Sequence, residues 1–202
     1  TPSYGFMRIR WSDRYFMTQP DLEDWLQQAR MLQEELTDEV IEKAFEVWPQ
    51  EIYDLHGDEI IRKLKSRRDQ MPVYAENYFK FLSKGVDVRG SDKREWFVVE
   101  RLDDENTKVT VRKISKKNNR DKVIYERTFK TSITEEIRLF GFDGDDEFEV
   151  KGNVDEGILV RIIGGEGEDL IIDESSVAKE RNHTIVYDTR TGTQLQAGEE
   201  TK

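Results

Sequence analysis

Apolar residues recur at three- and four-residue steps through the first third of the chain. Leu22, Trp25, Leu26, Ala29, Leu32 and Leu36 follow Pro20-Asp21, with Asp21, Glu23 and Asp24 in a first turn where the helix dipole favours acids. This predicts an amphipathic helix. Thr37-Asp38-Glu39 reads as a second helix start, and Val40, Ile41, Ala44, Phe45 and Trp48 form its stripe before Pro49 stops it. A short helical turn from Glu51 to Leu55 is expected to end at His56-Gly57, with Asp58 capping the next helix, which carries Ile60, Ile61 and Leu64. Pro72 opens a last helix with Tyr78, Phe79, Phe81 and Leu82, closed by Gly85. These helices are expected to pack together as a bundle.

From about Lys93 the apolar period changes from 3.6 to 2. Trp96-Phe97-Val98-Val99, Lys108-Val109-Thr110-Val111-Arg112 and Lys122-Val123-Ile124-Tyr125 are separated by turn-forming Asp103-Asp104-Glu105-Asn106 and Lys116-Lys117-Asn118-Asn119. That pattern predicts an antiparallel meander. The shift near Gly85 to Asp92 marks the expected boundary between a helical region, 1–88, and a β region, 89–202.

Beyond Thr131 the chain repeats itself. Ile137-Arg-Leu-Phe-Gly-Phe-Asp-Gly-Asp-Asp-Glu-Phe-Glu-Val150 aligns without gaps on Val160-Arg-Ile-Ile-Gly-Gly-Glu-Gly-Glu-Asp-Leu-Ile-Ile-Asp173, an offset of 23, and a third step lands on His183-Thr-Ile-Val-Tyr-Asp188. Strand, glycine turn, acid and strand at a fixed period is the pattern of a β-solenoid coil. The expected class is therefore α+β: an N-terminal helical bundle, then antiparallel strands, then a short β-solenoid-like C-terminal part.

Charge is concentrated in the repeat. Thr131 to Ser175 holds fourteen acidic residues against three basic ones, so this window alone accounts for the net charge of −11. Nucleic acid is a poor partner for such a surface. The absence of Cys excludes disulfides, thiolate metal sites and Cys nucleophiles, and His56 and His183 are too few for a His-rich centre. No apolar run reaches the ~18 to 20 residues that a spanning helix needs, so this segment is not expected to insert in a membrane. There is no G-x-S-x-G elbow and no P-loop.

The glycine turns carry the sharpest chemical signal. Gly164-Gly165-Glu166-Gly167-Glu168-Asp169-Leu170-Ile171-Ile172 fits the calcium-binding nonapeptide G-G-x-G-x-D-x-U-x, and Gly141 to Glu149 fits it with Phe142 in place of a Gly. In that motif glycines allow tight turns with inward carbonyls, and the Asp supplies a charged oxygen to a hard cation. These turns resemble the repeat-in-toxin family, which implies one Ca²⁺ between stacked turns. Its ligands would be Asp146 and Asp169, with Asp143, Gly144, Gly165 and Gly167 completing the turns. The alternative is that such turns only corner a stack, with carboxylates facing water.

Other signals have plain structural readings. Asp54-Leu55-His56-Gly57-Asp58 looks like a metallophosphoesterase opening motif but lacks further ligands, and reads as a helix end followed by a cap. Asp143, Asp145 and Glu147 space like an EF-hand start, but Phe148 stands where Gly is needed. Arg62, Lys63, Lys65, Arg67 and Arg68 read as a solvated face, with anionic lipid as the rival reading.

Taken together, Gly90 to Arg101, Val123 to Phe129, Glu136 to Phe148 and Val160 to Gly165 resemble a region of large exported bacterial proteins. There it lies between a calcineurin-like metallophosphoesterase domain and an outer-membrane surface-antigen barrel. None of the phosphoesterase metal ligands maps onto this chain. The resemblance implies a cell-envelope location, periplasm or cell surface, and a non-catalytic structural or interaction module whose partners are other domains of a larger parent chain. The competing expectation is a polysaccharide-acting enzyme or glycan-binding β-solenoid, which requires a groove with paired carboxyls beside aromatic platforms.

Overall fold

A computed structural model of the chain describes residues 10–179, 182–189, 191–198 and 201–202, with residues 10 and 11 described by backbone alone. Contacts divide it into two compact units: Pro20–Phe81, and Thr1–Gln19 with Leu82–Lys202. The boundary expected at residue 88 thus falls inside the first strand, because Val86 and Val88 pack in the β core. The first nine residues of the expected helical region lie outside the described residues.

A helix α1 (Arg10–Phe16) belongs to the β unit, and α2 (Leu22–Glu35), α3 (Asp38–Lys43), α4 (Gln50–Asp69) and α5 (Met71–Ser83) follow. Asp21 caps α2 in a reciprocal box: its carboxyl accepts the Asp24 N–H at 3.0 Å, and Asp24 accepts the Asp21 N–H at 2.9 Å. Thr37 caps α3 through the Val40 N–H. Ile41, Phe45 and Ile61 form the apolar centre, with Trp48, Tyr53 and Ile60 against it.

The helix break expected at His56-Gly57 does not occur. Residues 50–69 form one continuous helix, and Gly57 is buried in its middle because the Tyr53 ring lies across it; a Cβ there would come within 2.7 Å of that ring. The basic face of α4 is largely spoken for. Lys63 pairs with Glu59, Lys65 with Asp38 and Glu42, and Arg68 with Asp38 and the Leu36 carbonyl.

The β unit holds ten strands: β1 (Gly85–Arg89), β2 (Glu95–Arg101), β3 (Asn106–Lys113), β4 (Val123–Lys130), β5 (Glu136–Asp143), β6 (Glu147–Val154), β7 (Leu159–Glu166), β8 (Leu170–Val177), β9 (Thr184–Tyr187) and β10 (Gln194–Gln196). They form a four-stranded sheet, β1-β5-β7-β9, and a six-stranded sheet, β10-β8-β6-β2-β3-β4. Every pair is parallel except β2 with β3 and β3 with β4. Strands β1, β5, β7 and β9 each pass through a turn into the other sheet, as β2, β6, β8 and β10.

The expected class is therefore corrected. Among the described residues, five helices with two mostly parallel sheets make an α/β-type arrangement, in which antiparallel pairing between strands is confined to β2-β3-β4 and the sheets begin at Gly85 rather than forming a short β-solenoid-like end. The turns at 103–106 and 116–119 are where the pattern puts them. What local pattern cannot show is that β2 has β6 on its other side, with Phe97 opposite Phe148.

Side chains alternate inward along β1, β5 and β7, and the inward rows of both sheets share one core. Val88, Leu139, Ile162 and Val186 stack in one row, and Phe97, Phe148 and Ile171 in another. The Phe97 and Phe148 rings are parallel, with centroids 4.6 Å apart. Truncating Phe97 to Ala removes this stacked pair from a site with no access to water, so the expected loss is about 3 to 5 kcal/mol, measured by urea unfolding.

Candidate functional site: a column of buried carboxyls

The turn between sheets is built the same way three times. A glycine lies within two residues of the end of the strand of the four-stranded sheet, and five residues later an acid stands at or immediately before the start of the strand of the other: Gly90 and Glu95, Gly141 and Asp146, Gly164 and Asp169. The glycine makes room for the acid. A Cβ at Gly141 would sit 2.5 Å from Asp146 Oδ2, one at Gly90 would sit 2.9 Å from Glu95 Oε2, and one at Gly164 would land on Asp169 Oδ2. In the fourth turn the roles are exchanged: Asp188 stands where the others have glycine, and its Oδ2 points at the same spot above Gly164, 2.5 Å from that Cβ position.

These acids are inside the protein. Glu95 is fully buried, and Asp146 and Asp169 are each 1% exposed. Burying a carboxyl demands hydrogen-bond donors, and the neighbouring turn supplies them. The Glu95 N–H donates to Asp146 Oδ1 at 2.7 Å, and the Asp146 N–H donates to Asp169 Oδ1 at 2.8 Å. Glu95 takes the Ser91 N–H at 2.9 Å and the Ser91 hydroxyl at 2.7 Å. One oxygen on each of Asp146, Asp169 and Asp188 is buried with no donor.

Those orphaned oxygens favour protons. Burial is the main cause that pushes the Asp146 carboxyl up to about 7, with the nearby acids Glu95, Asp169 and Asp145 adding to it against the Glu95 N–H. Burial likewise pushes Asp169 up to about 6, helped by the Asp188 carboxyl that faces it, while the Asp146 N–H opposes the rise. A proton between Asp169 and Asp188 turns two facing acceptors into a hydrogen bond.

The structure brings Asp146 and Asp169 together in adjacent turns, where each accepts a backbone N–H through one oxygen and faces inward rather than toward water. Asp143 is exposed and pairs in register with Glu166. The Gly144 N–H donates to the Glu166 carbonyl at 3.0 Å. Gly165 and Gly167, at φ of +113° and +139°, lie where a Cβ would strike the carbonyl oxygens of Phe142 and Gly144 in the preceding turn. Close stacking therefore explains these glycines without a cation. Among the described residues no three His, Asp or Glu side chains converge as metal ligands.

Two features escaped the sequence reading. Gly90 and Glu95 form a third copy of the turn, signalled by the same five-residue step. Phe142 takes the left-handed conformation, φ +76°, that its sister turn assigns to Gly165. A bulky residue there is strained by about 1 to 3 kcal/mol. Its ring is 40% exposed and stacks on Phe140 at 6.0 Å.

No known protein family, curated protein or solved structure matches this chain. The fold and site define an α/β chain whose buried acids serve its own turns.

Two expectations follow. Asp146 and Asp169 bind protons more tightly folded than unfolded, so their contribution to stability is complete below about pH 4 and is lost as pH rises through about 6 and about 7. Asp146→Asn with Asp169→Asn keeps an oxygen for each N–H and removes the titration. Urea unfolding across this range is expected to show the wild type losing stability relative to that variant with rising pH; parallel profiles would contradict it. At the turns, Gly167→Ala is expected to lose about 2 kcal/mol or more, whereas Phe142→Gly is expected to hold or gain stability by thermal melting.

Proposed function

We propose that this chain is a non-catalytic structural and interaction module of a larger exported envelope protein. The single observation that supports this reading is that the buried carboxyls spend their hydrogen bonds on the backbone of adjacent turns. A general acid or nucleophile must reach a substrate atom, and at 1% exposure Asp146 and Asp169 reach only their own protein. Phe148, which a glycan platform would need at the surface, is packed on Phe97.

The interaction role is supported by the β9 edge. Lys202 accepts the Val186 N–H at 2.8 Å and donates to the Thr184 carbonyl at 2.9 Å, with Thr184 and Thr201 in parallel register. This edge takes an added parallel segment, the mode by which one element pairs with another at an open sheet. The envelope setting and the larger parent chain rest on the resemblance in Gly90 to Arg101, Val123 to Phe129, Glu136 to Phe148 and Val160 to Gly165.

The test is an assay of the purified chain against phosphate mono- and diesters and against neutral and acidic polysaccharides, with and without Ca²⁺. No turnover above that of the Asp146→Asn, Asp169→Asn variant is expected. Turnover that this variant abolishes would overturn the reading.

A further inference from the structure

The helical unit carries a cavity that the turn column does not explain. Its volume is about 380 Å³, inside the range of about 300 to 1,000 Å³ typical of small-molecule sites. Phe45, Trp48 and Tyr53 form its aromatic walls, and Glu42, Glu46 and Asp58 are its acids; no Lys, Arg or His lines it. The Phe45 and Trp48 rings meet at 50° with centroids 4.8 Å apart, so they present a corner rather than a flat face.

Tyr53 is held in place at a price in helix propensity. Gly57 lies in the middle of a twenty-residue helix, where glycine costs about 1 kcal/mol relative to Ala. A side chain there would displace the Tyr53 ring, which it would meet at 2.7 Å. The Tyr53 hydroxyl donates to Asp58 Oδ1 at 3.2 Å, joining the aromatic wall to the acid beside it. Glu42 is answered by Lys65 at 2.6 Å. Glu46 and Asp58 have no ion-pair partner among the described residues.

This combination selects a ligand class. Aromatic faces are negative and attract cations within about 6 Å of the ring centre, best when the cation is weakly hydrated. An anion would meet three carboxylates. A hard metal ion needs six or more oxygens, and four of the eight lining residues, Phe45, Trp48, Tyr53 and Ile61, are aromatic or aliphatic. We propose that this cavity binds an alkylated ammonium group, its methyls against Phe45, Trp48 and Tyr53 and its charge held by Glu46 and Asp58.

The probe is choline, titrated into the full chain while the Trp48 indole resonance, assigned with Trp48→Phe, is followed by NMR. The control is 3,3-dimethyl-1-butanol, which has the same shape without the charge. A saturable shift in the millimolar range is expected, with the neutral isostere at least about tenfold weaker. Glu46→Gln with Asp58→Asn alters only polar rim groups, leaves the apolar centre intact, and is expected to weaken choline by about tenfold. Trp48→Ala should abolish the binding, read on Tyr53. The proposal is overturned if choline gives no saturable shift, if the isostere binds equally, or if the rim variant leaves choline affinity unchanged. It stands apart from the reading of the β unit, since neither outcome alters the carboxyl column.

Discussion

A carboxyl taken out of water needs donors, and here Asp146 and Asp169 each find one on the backbone of the turn beside them, while Glu95 takes the N–H and hydroxyl of Ser91 in its own turn. The Glu95 N–H reaches Asp146 across 51 positions and the Asp146 N–H reaches Asp169 across 23. The same two offsets set the core, where Phe97 opposes Phe148 and Phe148 opposes Ile171. Polar corner and apolar rows therefore specify one register. A slip by one residue would turn every inward side chain outward and strand each carboxyl without its N–H. At the other end of β2, buried Arg101 donates to the Ile158 carbonyl at 2.7 Å and to the His183 carbonyl at 3.2 Å. The strands are thus pinned at both ends, by acids receiving N–H groups and by a guanidinium serving carbonyls.

Stacking acids in one column sets like charges close together, and Asp146 and Asp169 keep their protons to higher pH than free carboxyls do. The free energy that burial takes from the charged form is what raises Asp146 and Asp169. The fourth turn shows how the column ends. Its acid has moved to the glycine position, as Asp188, and faces Asp169 directly, while Thr193 stands where the next acid would fall.

Much of this was legible in the chain, and what was not has a physical reason. The 23-residue repeat survives because turn and strands keep their lengths between β5-β6 and β7-β8, so sequence offset and strand register coincide. The same repeat is present in β1-β2, but β3 and β4 are inserted after Arg101 and stretch the offset to 51, which hides it. From β7 to β9 the register is 24, one residue beyond the even step. Glycine-rich acidic turns support a metal reading and a structural one alike, because the calcium motif demands the same residues as close turn stacking does: glycine where a neighbouring carbonyl intrudes, and acid where an N–H waits. Gly57 misled for the converse reason. Its neighbours His56 and Asp58 look like a helix end and a cap, while its real cause is the Tyr53 ring four residues back.

Raised carboxyl pKa values are usually a mark of catalytic sites, because an enzyme needs a proton poised near neutral pH. That inference has a second premise, access, and Asp146 separates the two. Its environment is as perturbed as that of a general acid, yet its only reachable partners are Glu95, Gly141 and the turn of Asp169. Desolvation is the largest cause of the shift, with the neighbouring acids adding to it, whatever the purpose of the burial. A titrating group that meets backbone on one side and glycine on the other regulates only the protein that encloses it. The helical unit shows the opposite case: its acids at Glu46 and Asp58 are open, unpaired and set beside aromatic faces. Exposure to a partner, rather than perturbation, is the property that makes an acidic group available for recognition.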